Sequence, residues 1–169
     1  MRETTSAYDF QDKPAAYEAL RRELAALLAG ETDRIANAAN TAALIFAALP
    51  EVNWAGFYFM TGGELVVGPF QGKPACVRIR LGSGVCGTAA AERRTLVVPD
   101  VHAFAGHIAC DPASRSEIVV PLISGERLLG VLDLDSPLPG RFDAADRAGL
   151  EALAQVFLAS VGADADRGP

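Results

Sequence analysis

Between residues 13 and 30 apolar side chains recur every three or four positions, at Tyr17, Leu20, Leu24, Leu27 and Leu28. This is the stripe of an amphipathic helix, opened by Asp12 and Pro14 and stopped by Gly30. A second helical pattern, capped by Thr32 or Asp33, runs through Ile35, Ala39, Ala42, Phe46 and Leu49 to Pro50. From Val52 the period drops to two. Trp54, Gly56, Tyr58 and Met60 then share one face of a strand, with Asn53, Ala55, Phe57 and Phe59 on the other. Thr61-Gly62-Gly63-Glu64 supplies the glycines of a tight hairpin into a strand over 65–70. Val77, Ile79 and Leu81 alternate with Arg78 and Arg80 in a third strand, with Cys76 where it begins.

The flexible loop Gly82-Ser83-Gly84 precedes a short helix over 87–94, which places Cys86 at the helix start, where unpaired N–H groups favour an anion. A short strand over 95–99 follows, then an aperiodic stretch from 100 to 116, long enough inside a compact domain to suggest a functional loop. Two apolar runs, 117–123 and 128–134, flank Ser124-Gly125-Glu126 as a hairpin of central strands. Asp133 and Asp135 are two apart and therefore share a face. Asp143 caps a last helix with a stripe of Leu150, Leu153, Phe157 and Val161. Two helices, about six strands and a closing helix predict an α+β fold, a sheet with helices gathered mainly on one face. A single domain over 1–169 is expected, with loose ends at 1–13 and 163–169.

Composition narrows the function. Fifteen basic against 21 acidic residues give a formal charge of −6. There is no basic run, so nucleic acid is not an expected partner. The longest apolar stretches fall far short of the ~20 residues of a membrane-spanning helix, and the first residues have no apolar signal core. A cytoplasmic location is expected, where thiols stay reduced and a disulfide is more often catalytic than structural.

All three cysteines, Cys76, Cys86 and Cys110, and both histidines fall within residues 68–135. The cysteine spacings lack the Cys-x-x-Cys pairs of structural zinc sites. His102, His107 and Cys110 are ligand types at loop spacing but match no common metal pattern, so no metal is expected. Free cysteines are ordinarily small buried apolar residues. These three sit in or beside Gly- and Pro-containing loops, which favours access and movement. Glu117 begins a strand beside that of Asp133 and Asp135. Such a cluster raises the pKa of at least one member and can hold an ammonium group. Trp54 and Tyr58, ordinary core aromatics elsewhere, can here wall an apolar pocket with polar tips.

The strings Asn53-Trp54-Ala-Gly-Phe-Tyr58, Gly68-Pro-Phe-Gln-Gly-Lys-Pro-Ala-Cys76, Gly84-Val-Cys86-Gly-Thr-Ala, Gly106-His-Ile-Ala-Cys110-Asp, Ser114-Arg-Ser-Glu117 and Gly130-Val-Leu-Asp133-Leu-Asp135-Ser together resemble the free methionine-(R)-sulfoxide reductases. Generic GAF domains lack the three cysteines. The resemblance implies a GAF fold, with a central antiparallel sheet, and commonly a homodimer. It implies that Cys110 attacks the sulfoxide, that Cys76 is the principal resolving thiol and Cys86 a second partner. It further implies that Trp54, Tyr58, Glu117, Asp133 and Asp135 serve the substrate, and that thioredoxin or a similar dithiol resets the enzyme without a cofactor. Sulfoxide reduction needs a thiolate and a general acid together, which Cys110 and the carboxylates supply. Which carboxylate is the acid stays open at this level. A non-catalytic ligand-binding or redox-sensing GAF module is the alternative.

Overall fold

The computed structural model describes residues 7–108 and 110–162. Among them lie four α-helices, α1 (Lys13–Leu27), α2 (Arg34–Ala48), α3 (Gly84–Glu92) and α4 (Ala144–Val161). Six strands, β1 (Trp54–Thr61), β2 (Glu64–Gly72), β3 (Arg78–Arg80), β4 (Leu96–Val98), β5 (Ser116–Ser124) and β6 (Arg127–Ser136), form one sheet in the order β3-β2-β1-β6-β5-β4. Every neighbouring pair is antiparallel. This is the expected α+β arrangement, with α1, α2 and α4 on one face and α3 on the other.

The expected caps form. The Asp12, Asp33 and Asp143 carboxylates accept from the backbone N–H groups of Ala15, Ala36 and Asp146, satisfying donors that have no partner inside the helix. The period of two in β1 sorts its side chains onto unlike faces. Ala55, Phe57 and Phe59 join Leu20, Leu24, Ile45, Leu132, Leu134, Leu150 and Phe157 in the core beneath the three helices. Trp54 and Tyr58 point the other way, with Cys86, Val119 and Val131. A fully buried Leu or Phe contributes about 1.5–3 kcal/mol, so the helix-side core anchors the sheet. Close approach of β1 and β6 requires Gly130, where a Cβ would lie 2.0 Å from the Tyr58 carbonyl oxygen.

Several elements differ from the pattern reading. In α2 the buried face is Asn37, Ala38, Thr41, Ala42, Ile45 and Ala48, while Ile35 is 54% exposed. Two polar residues sit on that face because their hydrogen bonds are met: the Asn37 amide donates to Glu31 O and Ser160 Oγ, and the Thr41 hydroxyl to Asn37 O. In α1 Leu27 faces solvent, and Leu28 completes the stripe. Strand β3 is only three residues long, and Val77 and Leu81 beside it are exposed. Helix α3 begins at Gly84 rather than 87, because Gly84 takes a positive φ of 62° that turns the chain into the helix. Within residues 7–12 only Tyr8 and Phe10 pack against the core: Phe10 meets Tyr17 edge-on at 5.5 Å and the Tyr8 hydroxyl donates to Glu23, while the other four residues are exposed. The remaining ends, 1–6 and 163–169, lie outside the described residues.

Candidate active site

On the α3 side of the sheet, β1, β5 and β6 run side by side and bring their polar positions together. Glu117 pairs with Asp135 across β5–β6, Asp135 with Trp54 across β6–β1, and Asp133 with Gly56. Gly56 admits the close approach of Phe70 and Trp54, since a Cβ there would lie 2.2 Å from the Phe70 Cβ. Helix α3 lies over this face and places Cys86, its third residue, against the acids. The Cys86 thiol donates to Glu117 Oε1 at 3.7 Å.

Cysteines Cys76 and Cys110 form a disulfide with Cα atoms 5.7 Å apart, across 34 residues of sequence. Cys76 lies in the loop between β2 and β3. Cys110 lies in the segment between β4 and β5, which turns on a 3₁₀ element (Val101–Ala103) capped by the Asp100 carboxylate. That segment is tied at its end, where Val101 N–H donates to Arg115 O and Arg115 N–H to Ser136 O. Cys110 is therefore presented from a loop fixed at its base. Cys86 stays outside the disulfide, buried and free.

A cavity of about 50 Å³ runs between the disulfide and the carboxylates, walled by Trp54, Tyr58, Ile79, Cys86 and Ile108. Cys110, Glu117, Asp133 and Asp135 all reach it. The aromatic tips are used. Trp54 Nε1 donates to Lys73 O and the Tyr58 hydroxyl to Cys76 O, each at 3.1 Å. Thus both side chains wall the cavity and also hold the loop that carries Cys76. Stacking of Trp54 on Phe70 and Tyr58, at 5.1 and 5.9 Å, fixes the wall.

Burial is the leading influence on the electrostatics of the cluster. Burial, and next the charges of Asp133 and Asp135, hold Glu117 well above the usual carboxylate range. Asp135 is raised by burial, then by Asp133 and Asp111. Asp133, 5% exposed, is pushed up to about 6 by burial. The Cys86 thiol is raised by burial and by Asp133 and Glu117, so it remains a proton donor. The cluster consequently keeps protons at neutral pH while open to the cavity, which suits proton delivery to a bound oxygen.

Seven of the eight residues singled out in the sequence border this cavity, and the eighth, Cys76, is joined to it through its bond to Cys110. His107 also borders it, its pKa lowered by burial and by His102. The two histidines and Cys110 form no metal-ligand cluster among the described residues; the one group with such spacing is Cys86, Glu117 and Asp133. Asp111 and Ser114 are wall residues the sequence reading did not single out. Ser114 Oγ accepts from the Asn53 amide at 3.3 Å, linking the Cys110 loop to the residue before β1. Their nearness to Cys110 in sequence was the available signal.

A model of the GAF domain matches residues 21–160. The chain is 53% identical over 142 residues to the free methionine-R-sulfoxide reductase of Escherichia coli (strain K12), covering 84% of this chain and 86% of that protein. It is 54% identical over 148 residues to Protein YtsP of Bacillus subtilis (strain 168), covering 86% and 91%. The X-ray structure of free methionine-R-sulfoxide reductase from Neisseria meningitidis in complex with its substrate matches with a TM-score of 0.88 and 45% identity over 95% of each chain.

Proposed function

The chain belongs to the GAF domain family and, within it, to the free methionine-R-sulfoxide reductases, and from that premise we propose how its own residues reduce free L-methionine-(R)-sulfoxide. The observation that carries the reading is a Cys76–Cys110 pair at bonding distance, with Cys110 on the same cavity as a proton-holding carboxylate cluster. Cys110, as thiolate, attacks the sulfoxide sulfur while Glu117 delivers a proton to the oxygen, since a sulfoxide sulfur is a poor electrophile until its oxygen is protonated. The sulfur–oxygen bond breaks, methionine leaves, and Cys110 carries the oxygen as sulfenic acid. The Cys76 thiol attacks that sulfur, water departs, and the disulfide forms. Thioredoxin or a similar dithiol returns the pair to two thiols and is itself oxidised.

Glu117 suits the acid because burial and two neighbouring acids hold its proton. Asp133, the most readily ionised of the three, suits the substrate ammonium, with Asp135 beside it. Helix α3 opens at the cavity with no side chain capping it, which offers N–H groups to the substrate carboxylate. A peptide-bound sulfoxide has neither charge, so the free amino acid is preferred. Cys86, buried and protonated, acts first as a hydrogen-bond donor to Glu117 and only second as an exchange partner. The chain works as a homodimer in the reducing cytoplasm. Among the described residues, no helix is long and apolar enough to cross a membrane.

The test is NADPH consumption with thioredoxin and its reductase, on free methionine-R-sulfoxide, free methionine-S-sulfoxide and a peptide-bound sulfoxide. Turnover of the free R form alone, lost in Cys110→Ser, is expected. No turnover of any sulfoxide by protein whose thiols are shown to be reduced would overturn the reading in favour of a ligand-binding or redox-sensing module.

A further inference from the structure

At the floor of the cavity Cys86 Sγ, a Glu117 carboxyl oxygen and an Asp133 carboxyl oxygen all lie within 4.8 Å of one another, and all three residues are buried. The cluster is incomplete as it stands. Asp133 Oδ1 is buried without a hydrogen-bond partner, although its residue is only 5% exposed. No Lys or Arg among the described residues figures in the electrostatics of Glu117, Asp133 or Asp135. A buried carboxyl oxygen left without a partner, beside a thiol and a second carboxyl group, is a costly arrangement that a bound cation would relieve.

The spacing narrows the cation. Tetrahedral zinc, with ligand bonds of about 2.3 Å to sulfur and 2.0–2.2 Å to oxygen, separates adjacent sulfur and oxygen ligands by about 3.6 Å. Cys86 Sγ and Glu117 Oε1 are 3.7 Å apart. A thiolate with two carboxylates suits a borderline-soft ion that accepts four ligands, whereas calcium and magnesium require more oxygens and no sulfur. Magnesium and calcium are thus disfavoured by donor type and by ligand number.

We propose that Cys86, Glu117 and Asp133 form a binding site for a zinc-class divalent cation, Zn²⁺ or Cd²⁺, whose occupation excludes the substrate. The ion takes the thiolate sulfur and one oxygen from each carboxylate, with a water on the side open to the cavity. The Cys86 thiol proton and the carboxyl proton leave to solvent, so binding strengthens as pH rises. With the divalent ion bound, the thiolate and the two carboxylates together carry a net charge of −1 in place of −3. The exclusion clause rests on the reductase reading above, because Glu117 and Asp133 are the groups assigned there to the proton and to the ammonium. Site formation depends only on the geometry.

The chain has three cysteines, so in the oxidised protein, with Cys76 and Cys110 joined, Cys86 is the sole thiol. Cd²⁺ is titrated into this form while the ultraviolet thiolate-to-cadmium charge-transfer band is followed, with a Cys76→Ser/Cys110→Ser double variant as a second Cys86-only form. The band is expected to saturate at one ion per chain and to be bleached by Zn²⁺. Cys86→Ser should abolish it, Asp133→Asn should weaken Cd²⁺ affinity at least about tenfold, and His102→Ala with His107→Ala should leave it unchanged. Circular dichroism of each variant confirms folding. Absence of the band in both Cys86-only forms overturns the site, as does a band indifferent to Asp133→Asn. Adding free methionine-R-sulfoxide to the cadmium-loaded double variant tests exclusion: the band should fall, and a band that persists overturns that clause alone. Turnover of metal-free wild-type enzyme is measured separately, so failure of the reductase reading shows as lost activity with the band intact.

Discussion

Two acidic sites are buried in this chain, and they are built in opposite ways. Asp146, at the start of α4 and fully buried, accepts from Lys13 Nζ at 2.7 Å, the Tyr17 hydroxyl at 2.8 Å, the Asp143 backbone N–H at 2.9 Å and Arg141 Nη1 at 3.1 Å. Its charge is paired and its lone pairs are filled, so it serves as a clamp between α1 and α4. On the other side of the sheet, Glu117, Asp133 and Asp135 face a thiol and one another, without the ion pairs that hold Asp146. The contrast shows what burial does to a carboxylate. With partners in place it becomes structure; without them its proton is retained and the group is available for chemistry.

Exchanging acids for amides breaks the comparison at its functional end first. Glu117→Gln keeps the shape but not the proton, and is expected to lower turnover by roughly 10²–10⁴-fold without loss of stability at neutral pH. Steady-state assays beside urea unfolding check both halves. An unchanged rate would move the acid role to Asp135. At the structural end, Asp146→Ala leaves the buried Arg141 guanidinium without its ion-pair partner and Lys13 with Asp143 alone. A loss of about 3–5 kcal/mol in urea unfolding is expected, because removing one partner of a buried pair leaves the other uncompensated.

Asp133→Asn sharpens the contrast by reversing the sign. Its carboxyl is raised from 3.8 to about 6 in the folded chain, so between those values the folded state binds more protons than the unfolded one. Stability from this group is present below the unfolded pKa and lost as pH rises through the folded one. Removing the charge should therefore stabilise the protein at pH 8 by an amount on the order of 3 kcal/mol, give no gain at pH 3, and impair substrate binding. Unfolding curves of variant and wild type at the two pH values decide it. A gain that is equal at both would show that ionisation is not its source.

Much of this was legible in the chain itself. The caps Asp12, Asp33 and Asp143 are local, because a side chain reaching a backbone N–H three residues on needs no tertiary partner. The two faces of β1 and β6 followed from a period of two, and Asp133 and Asp135 fell on one face for the same reason. The cysteine strings pointed to the family before any fold was available. In helix α2 the apolar pattern finds Ala42, Phe46 and Leu49 at the core but includes the exposed Ile35 and Ala39 and passes over Asn37 and Thr41, which are polar yet buried and whose partners Glu31, Ser160 and Asn37 are visible only in three dimensions. Asp146 gave no sign at all, since a mid-sequence aspartate near a helix start looks like any solvated one.

The sequence by itself determined the elements, their polarity and the inventory of thiols and acids, since these depend on short-range geometry and on residue type. Residue spacing alone left the pairing of the cysteines open, and the tertiary structure decided it: Cys76 and Cys110, the pair the family resemblance implied, join across 34 residues while Cys86, nearer to both in sequence, lies apart from that bond. It also decided which acids are neutralised and which are not, because a carboxylate's proton affinity is set by what the fold places around it and how much water it removes.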